Sequence, residues 1–337
     1  MISRVILGHT RIYIMNRKDE VDMAYLIGID LGGTKIHTAL ATEEGVIVKE
    51  AVLPTLAEEG EEKVLQRILE SIEEVMEKGS IRHEELLSIG IGAPGLIDQK
   101  EGVILTAANL PFENYPLSDA IRKVYPVPVK VENDGNAALL REYHLGERKK
   151  TKNLVYITVS TGVGGAAMVE GKLLLGAKGA AFEVGHMPLV KDSSILCGCG
   201  QYGHVESYAS GTGIRRAMER ALSSGEESSM KERTAFGTRE IYEASKMGDA
   251  LSSKILEEAY EYLGMTVSQV LTMLNPEVVI LGGGVSFIGD DFLKRVKFHT
   301  KKHTLPLLYE ACEIRLSSFK EKTGVLGAVA VALAEAL

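Results

Sequence analysis

Residues 25–35, YLIGIDLGGTK, decide the fold. Tyr25 to Asp30 is an unbroken apolar run of strand length that ends in an acid, the pattern of a strand covered on both faces. Leu31-Gly32-Gly33-Thr34-Lys35 is a turn, and Ile36 to Ala41 returns as a second strand. A glycine turn lets backbone N–H groups approach phosphate oxygens closely, and the Thr34 hydroxyl adds a donor. The stretch lacks the G-x-x-x-x-G-K-[ST] spacing of a P-loop, and it leads into a strand rather than a helix.

Outward from this hairpin, Glu43-Glu44-Gly45 turns into a third strand at 46–53. Residues 58–78 read as an amphipathic helix whose Val64, Leu65, Ile68, Ile72, Val75 and Met76 share one face. Leu86 to Ile91 is a fourth strand before the Gly92-Ala93-Pro94-Gly95 loop. Val127 to Val131 is a fifth, running into Glu132-Asn133-Asp134 and an Ala-rich helix. The opening then recurs, with a strand at 153–160, a Thr161-Gly162-Val163-Gly164-Gly165 turn and returning strands at 166–170 and 172–175. Helices over 206–222, 238–247 and 249–274 precede a strand at 278–281 that ends in Gly282-Gly283-Gly284. Two halves that each open strand, glycine turn, strand predict a duplicated α/β architecture around a cleft.

The 337 residues carry Lys+Arg 38 against Asp+Glu 46, a net charge of −8. That balance argues against a general nucleic-acid or membrane-surface binder. The C-terminal run 324–337 is too short to span a bilayer and contains Glu335. Residues 1–23 lack a convincing signal-peptide pattern and read as an N-terminal extension. Three cysteines exclude a disulfide scaffold and place the chain in a reducing cytoplasm, with Cys312 expected as an ordinary buried thiol.

Three constellations carry chemistry. Either glycine turn alone is read as a tight β-turn, but two of them after buried strands point to phosphate binding by Gly32, Gly33, Thr34, Thr161, Gly162 and Gly164. Asp30 ends the strand beside the first turn, where a carboxylate can hold Mg²⁺ through water. In Glu132-Asn133-Asp134 one carboxylate can accept a proton while the amide positions the reacting hydroxyl. Asn133 or Asp134 would serve equally as a helix cap, and spacing leaves the two roles open. His186, Cys197, Cys199 and His204 lie within 19 residues and offer four ligands for a closed tetrahedral zinc site. Glu183 and Glu206 flank it as candidates for charge-assisted hydrogen bonds to a polyhydroxyl ligand.

Taken in order, GIDLGGTK, GIGAPGLID, NLPFENYPL, VENDGNAA, STGVGG, EVGHM, CGCGQYGHVESYASG and NPEVVILGGGVS resemble the ROK family of repressors and sugar kinases, closest in pattern to its bacterial-type glucokinases. The resemblance runs from about Ala24 to the C-terminus. It implies the duplicated actin-like fold, hexokinase-type and ribonuclease H-like, with two domains around an ATP-binding cleft. The expected division is a small domain over 24–135, joined by the C-terminal helix 324–337, and a large domain over 136–323 that carries the zinc loop. The implied activity is transfer of the γ-phosphate of ATP to the 6-hydroxyl of glucose. Fructose, mannose, allose, N-acetylmannosamine and N-acetylglucosamine are the alternative substrates.

Carried over residue by residue, the resemblance makes Asp134 the catalytic base and Asn133, Glu183, His186 and Glu206 the sugar-binding residues, with Gly95 and Asn109 bordering the sugar. It places Gly32, Gly33, Thr34, Lys35, Thr161, Gly162 and Gly164 at the phosphates, Gly282, Gly283 and Gly284 beside the adenosine, and Asp30 on the magnesium side. His186, Cys197 and Cys199 match ligands of one structural zinc. The family is usually dimeric or tetrameric. Its repressors carry a further N-terminal DNA-binding domain, for which about 23 residues ahead of Ala24 are too few. Three positions depart from the pattern. His204 stands for a third zinc cysteine, Phe182 for a glycine before Glu183, and Ala166 for a third hairpin glycine.

Overall fold

Strand β1 (Tyr25–Leu31) is buried on both faces, as its apolar run requires. It pairs antiparallel with β2 (Lys35–Thr42), which pairs with β3 (Ile47–Pro54). Helix α1 (Glu61–Gly79) crosses over to β4 (Leu86–Ala93), parallel to β1. A small antiparallel sheet of β5 (Leu96–Asp98), β6 (Val103–Thr106) and β7 (Glu113–Tyr115) follows. Then come α2 (Leu117–Arg122) and β8 (Val129–Asn133), parallel to β4. The first sheet therefore has the order β3-β2-β1-β4-β8. This computed structural model describes residues 24–146 and 151–337, so the expected extension 1–23 lies outside the described residues.

Helix α3 (Asp134–Leu145) leads to the second sheet. Its hairpin is β9 (Leu154–Val159) and β10 (Val163–Val169), with β11 (Lys172–Leu173) at the edge. Helices α4 (Glu206–Ala209), α5 (Gly211–Ser223), α6 (Thr238–Lys246) and α7 (Ala250–Leu274) intervene before β12 (Val278–Gly282). Then α8 (Asp291–His303) and α9 (Pro306–Ala311) precede β13 (Glu313–Leu316), and α10 (Thr323–Ala336) ends the described chain. The order β11-β10-β9-β12-β13 repeats the first sheet strand for strand, antiparallel in the hairpin and parallel beyond it. This is the duplicated actin-like architecture.

Helix α1 covers one face of the first sheet with Val64, Ile68, Ile72 and Val75 against Ile27, Ile29 and Leu31. The other face is flattened by glycine. A Cβ at Gly28 would lie 2.4 Å from the backbone nitrogen of Val329, and one at Gly90 would lie 2.2 Å from that of Ala332. Helix α10 thus rests on the strand backbones, and its Ala330 and Val331 also pack with α3 and with Tyr156, Val278 and Ile280 of the second sheet. Helices α3 and α10 form the layer shared by the two sheets, while α5 to α8 cover the far face of the second.

Several expected elements need correction. The helix over 206–222 is two helices, because Ser210 adopts extended backbone (φ −77°, ψ 164°) and caps α5 by accepting from the Gly213 N–H at 2.9 Å. The fifth strand lies at Val129–Asn133, so the Glu132-Asn133 pair belongs to the strand itself. The strand expected at 166–170 begins earlier, at Val163, directly after the turn, and the next shrinks to Lys172–Leu173. Cys312 is half-buried rather than fully buried, its thiol pushed up to about 12 by burial. Among the described residues, no helix is long and apolar enough to cross a membrane.

Candidate active site

The parallel strands of both sheets end toward one cleft, the usual place for ligands in open α/β sheets. Asp30 sits near the end of β1 beside Gly92 of β4 and His37 of β2. Its carboxylate lies over the start of α10, so close that a Cβ on Gly324 would stand 2.1 Å from Oδ2. Burial raises its pKa, opposed by the charges of His37 and Lys35. Asp134 opens α3 and lines the same cavity, which holds about 390 Å³. Burial, followed by the Asp30 carboxylate, pushes Asp134 up to about 6. Two carboxylates that disfavour each other's charge suit a place where a divalent cation and a proton acceptor meet.

The cap question at 132–134 resolves by hydrogen bonding. Asn133 is the N-cap of α3, its Oδ1 accepting from the Asn136 N–H at 2.8 Å. That leaves the Asn133 amide NH₂ as a donor for a ligand. Glu132 is excluded as the cleft base. It is 2% exposed, accepts from Asn136 Nδ2 at 2.9 Å, and is pushed up to about 7 by burial, opposed by Asn136 and Lys130. Strand alternation turns it away from Val131 and toward α3.

The two glycine turns are held differently. In the first, the Gly32 N–H donates to Lys35 O at 3.0 Å, and Thr55 Oγ1 donates to Gly32 O at 2.6 Å. With Gly32 N–H committed to the turn, Gly33 and Thr34 remain as its outward donors. Gly33 also packs on Asn109, whose Cβ and carbonyl oxygen would both lie 2.7 Å from an added Cβ. In the second turn, the Val163 N–H donates to Glu206 Oε2 at 3.0 Å. A Cβ on Gly162 would stand 2.3 Å from that same oxygen, whereas one on Gly164 would meet only Thr158 Cγ2 at 3.5 Å. Ser160 O and Thr161 O accept from the Gly211 and Thr212 N–H groups at 2.8 and 3.3 Å, tying this turn to α5.

Of the third glycine run, Gly283 (φ +87°) and Gly284 line the cleft cavity. Gly282 instead faces the Tyr156 ring, whose hydroxyl would lie 2.1 Å from an added Cβ. Thr161, Gly162 and Glu206 line a second cavity of about 480 Å³ together with Arg216 and Arg220. Glu183, Asn133, His186, Gly95, Asn109 and Lys35 are not among the walls of these two cavities. Glu183, Gly95, Asn109, Thr34 and Lys35 are exposed. Gly95 (φ +104°) turns its loop against Thr106 O, 2.2 Å from an added Cβ.

His186, Cys197, Cys199 and His204 do converge, with their ligand atoms all within 4.8 Å of one another. Cys197 Sγ is 3.6 Å from His186 Nδ1, and Cys199 Sγ is 3.2 Å from His204 Nδ1. A tetrahedral zinc with ordinary Zn–S and Zn–N bonds spaces such atoms by roughly 3.6 Å, so the donor set fits that ion. His186 turns Nδ1 toward the thiols, and its Nε2 is left for another partner. Glu206 Oε1 lies 3.8 Å from Cys197 Sγ, so one carboxylate touches both the Cys/His cluster and the second glycine turn.

Phe182 has φ +68°, a left-handed backbone at the position where the resemblance expects glycine. A non-glycine residue there costs about 1–2 kcal/mol. The ring lies against Gly165, its Cδ1 3.0 Å from an added Cβ, and packs on the apolar core of the second half. Gly165, lacking a side chain, makes room for the ring that this backbone presents.

Several cleft residues escape the motif reading. Thr158 lies near the end of β9 and Ser160 just after it, and Arg141 lies seven residues, about two helical turns, beyond Asp134. Phe287, Phe319, Lys320, Thr323 and Gly324 complete the wall from loops around β12, β13 and α10. Helical spacing from Asp134 is the one signal that could have found Arg141.

Comparison with known proteins gives the same assignment. The ROK family pattern matches residues 26–335. A glucokinase of Halalkalibacterium halodurans is 32% identical over 307 residues, covering 90% of this chain and 93% of that one. A xylose repressor of Caldicellulosiruptor bescii is 30% identical over 319 residues, covering 94% of this chain and 80% of the repressor. The solved structure of a ROK family glucokinase from Streptomyces griseus, in complex with glucose and AMPPNP, superposes with a TM-score of 0.71 at 29% identity. It is matched over 92% of this chain and 99% of that one. The match over residues 26–335 and the identity to these relatives along nearly the whole chain show that it belongs to the ROK family.

Proposed function

We propose that this protein is an ATP-dependent sugar kinase that transfers the γ-phosphoryl group of ATP to the 6-hydroxyl of a hexose, glucose first among them. The observation that carries this reading is Asp134, a solvent-reached cleft carboxylate with its pKa raised to about 6, facing Asp30 in a cavity lined by Ser160 and Gly283. The relatives named as glucokinases support glucose as substrate.

In this reading Asp134 accepts the proton of the sugar hydroxyl as its oxygen bonds to the γ-phosphorus and the bond to the bridging oxygen of ADP breaks. Asn133, its carbonyl held by the α3 cap, donates its amide to the sugar. Mg²⁺ beside Asp30 would neutralise charge on the transferring phosphoryl group. The Cys/His cluster would hold one structural zinc that shapes the loop carrying His186 and Glu206.

A coupled assay across a hexose panel tests the reading, with Asp134→Asn as control. That variant is expected to lose at least about 10³-fold in kcat, within the range for general-base removal, while keeping glucose affinity within a few-fold. Near-normal turnover would sink the role of Asp134. The wild-type rate should fall as pH drops through about 6, where Asp134 takes up a proton.

Stability moves the opposite way. A raised acid pKa stabilises the fold at low pH, and that contribution is lost as pH rises through about 6. Asp134→Asn is therefore expected to raise the Tm near pH 8 and to leave it unchanged near pH 4.

The xylose-repressor relative favours one alternative, a sugar-responsive regulator. Sugar binding without any ATP turnover across the panel would select it.

A further inference from the structure

The cleft cavity is lined by two carboxylates, Asp30 and Asp134, and by two cations, Arg141 and Lys320. The cations differ. Arg141 is 1% exposed and tied to its surroundings, its Nη1 donating to Thr323 O at 2.8 Å and its guanidinium lying 4.8 Å from the Phe319 ring centroid, although its Nε finds no hydrogen-bond partner. Lys320 is exposed at the cavity wall. Its ammonium stands 5.4 Å from the Phe287 ring centroid, and no ion pair to a carboxylate is found for it among the described residues. The neighbouring Lys322, by contrast, is paired with Glu50.

The loop that carries Lys320 is held at both ends. At its start the Ser317 N–H donates to Leu281 O at 2.8 Å, joining the loop to β12 just before Gly282. Ser317 Oγ donates to Glu142 Oε1 at 2.5 Å and accepts from the Phe319 N–H at 3.1 Å. Glu142 is itself fully buried, with Arg315 Nη2 3.6 Å from its other oxygen. At the far end Arg141 holds Thr323 O, and between the two ties Phe319 lies under the guanidinium. Buried charges of this kind are costly unless paired, and their return here is a fixed loop.

We propose that Lys320 is a donor-phosphate-binding residue, presented to the cleft by the buried Arg141–Glu142–Ser317 clamp, and this assignment rests on the kinase reading above. A polyanionic nucleoside triphosphate entering a cavity with two carboxylates needs positive charge besides its metal ion. An ammonium on a tethered loop supplies it as a point charge, and it leaves the Phe287 ring to meet the phosphates. Arg141, Glu142 and Ser317 are positioning residues that act through Lys320.

The test is nucleotide binding by calorimetry, with Mg²⁺-ATP, Mg²⁺-ADP and adenosine as probes, on wild type, Lys320→Ala and Lys320→Arg. Lys320→Ala is expected to weaken ATP and ADP by about tenfold, the loss of one charge-assisted contact. Adenosine and glucose affinities should stay unchanged, and Lys320→Arg should restore most of the loss. Ser317→Ala should weaken ATP in the wild-type background and have no further effect on top of Lys320→Ala, which a merely structural role would not produce.

An ATP affinity within twofold of wild type in Lys320→Ala overturns the assignment, and so does an equal loss for adenosine. Wild-type protein that binds no nucleotide overturns both this assignment and the kinase reading. Wild type that turns over glucose beside an unaffected Lys320→Ala removes Lys320 alone.

Discussion

The two halves share one strand order, yet their glycine turns are secured from different places. The first turn is closed from its own sheet and the residue just beyond it, by Lys35 O and by Thr55 directly after β3. The second is held from outside its sheet, by Glu206 at the start of α4 and by the N-terminus of α5. Duplication therefore kept the topology and changed the wiring. The second turn is linked to the Cys/His cluster through a single carboxylate, whereas the first is independent of that cluster. On the kinase reading proposed above, changes at the Cys/His cluster should therefore reach the second turn and leave the first unaffected.

Glu206→Ala should break this comparison most severely. It removes the acceptor of the Val163 N–H, and orphaning a buried donor costs about 1–3 kcal/mol of stability in denaturant titration, with a fall in kcat/KM larger than for Gly162→Ala, Gly164→Ala, Thr55→Val or Phe182→Gly. Protein stripped of metal by a chelator should lose activity in the same direction, and Thr55→Val should not share the effect. If stripped protein keeps full activity, the link between cluster and turn is not functional. Gly162→Ala comes next. Its Cβ would fall 2.3 Å from Glu206 Oε2, and such overpacking costs about 1–3 kcal/mol. Gly164→Ala meets ordinary contact at 3.5 Å and is expected to stay within about 0.5 kcal/mol of wild type. Equal effects for the two alanines in steady-state kinetics would show that the Glu206 strap is not what makes the turn specific.

Thr55→Val sharpens the other side. Losing its hydrogen bond to Gly32 O should lower stability by about 1 kcal/mol in denaturant titration, with ATP affinity falling by less than for Gly162→Ala. Phe182→Gly sets two opposing terms against each other. Relief of about 1–2 kcal/mol of left-handed strain opposes the loss of a half-buried ring, so unfolding free energy should change by less than about 1 kcal/mol. A change in hexose preference without a change in stability would mark Phe182 as a shaper of the sugar side.

What could be read in advance follows the range of each interaction. Asp30, Asp134, the two turns and the Cys/His cluster announce themselves within short segments, because local chemistry demands them there. Lys320, Phe287 and Thr158 meet only after three strand ends converge, and no periodicity carries that information. Strands β5, β6 and β7 are three or four residues long, too short for an alternating pattern to stand out. Asn133 and Asp134 could not be separated by type, since both cap helices, and one hydrogen bond to Asn136 settles it. Gly28 and Gly90 were visible inside buried strands, but what they make room for lies at the other end of the chain.

That distance has a consequence for synthesis. Ser88 Oγ donates to Ala332 O at 2.7 Å across 244 residues of sequence, and among the described residues the glycine-flattened face at Gly28 and Gly90 packs on α10. While the chain emerges from a ribosome, the first sheet has its α1 side closed and its other side bare until translation reaches the helix at Thr323–Ala336. The earliest strands made are among the last to be sealed, so the nascent first half must be shielded from other chains for nearly the whole of its translation.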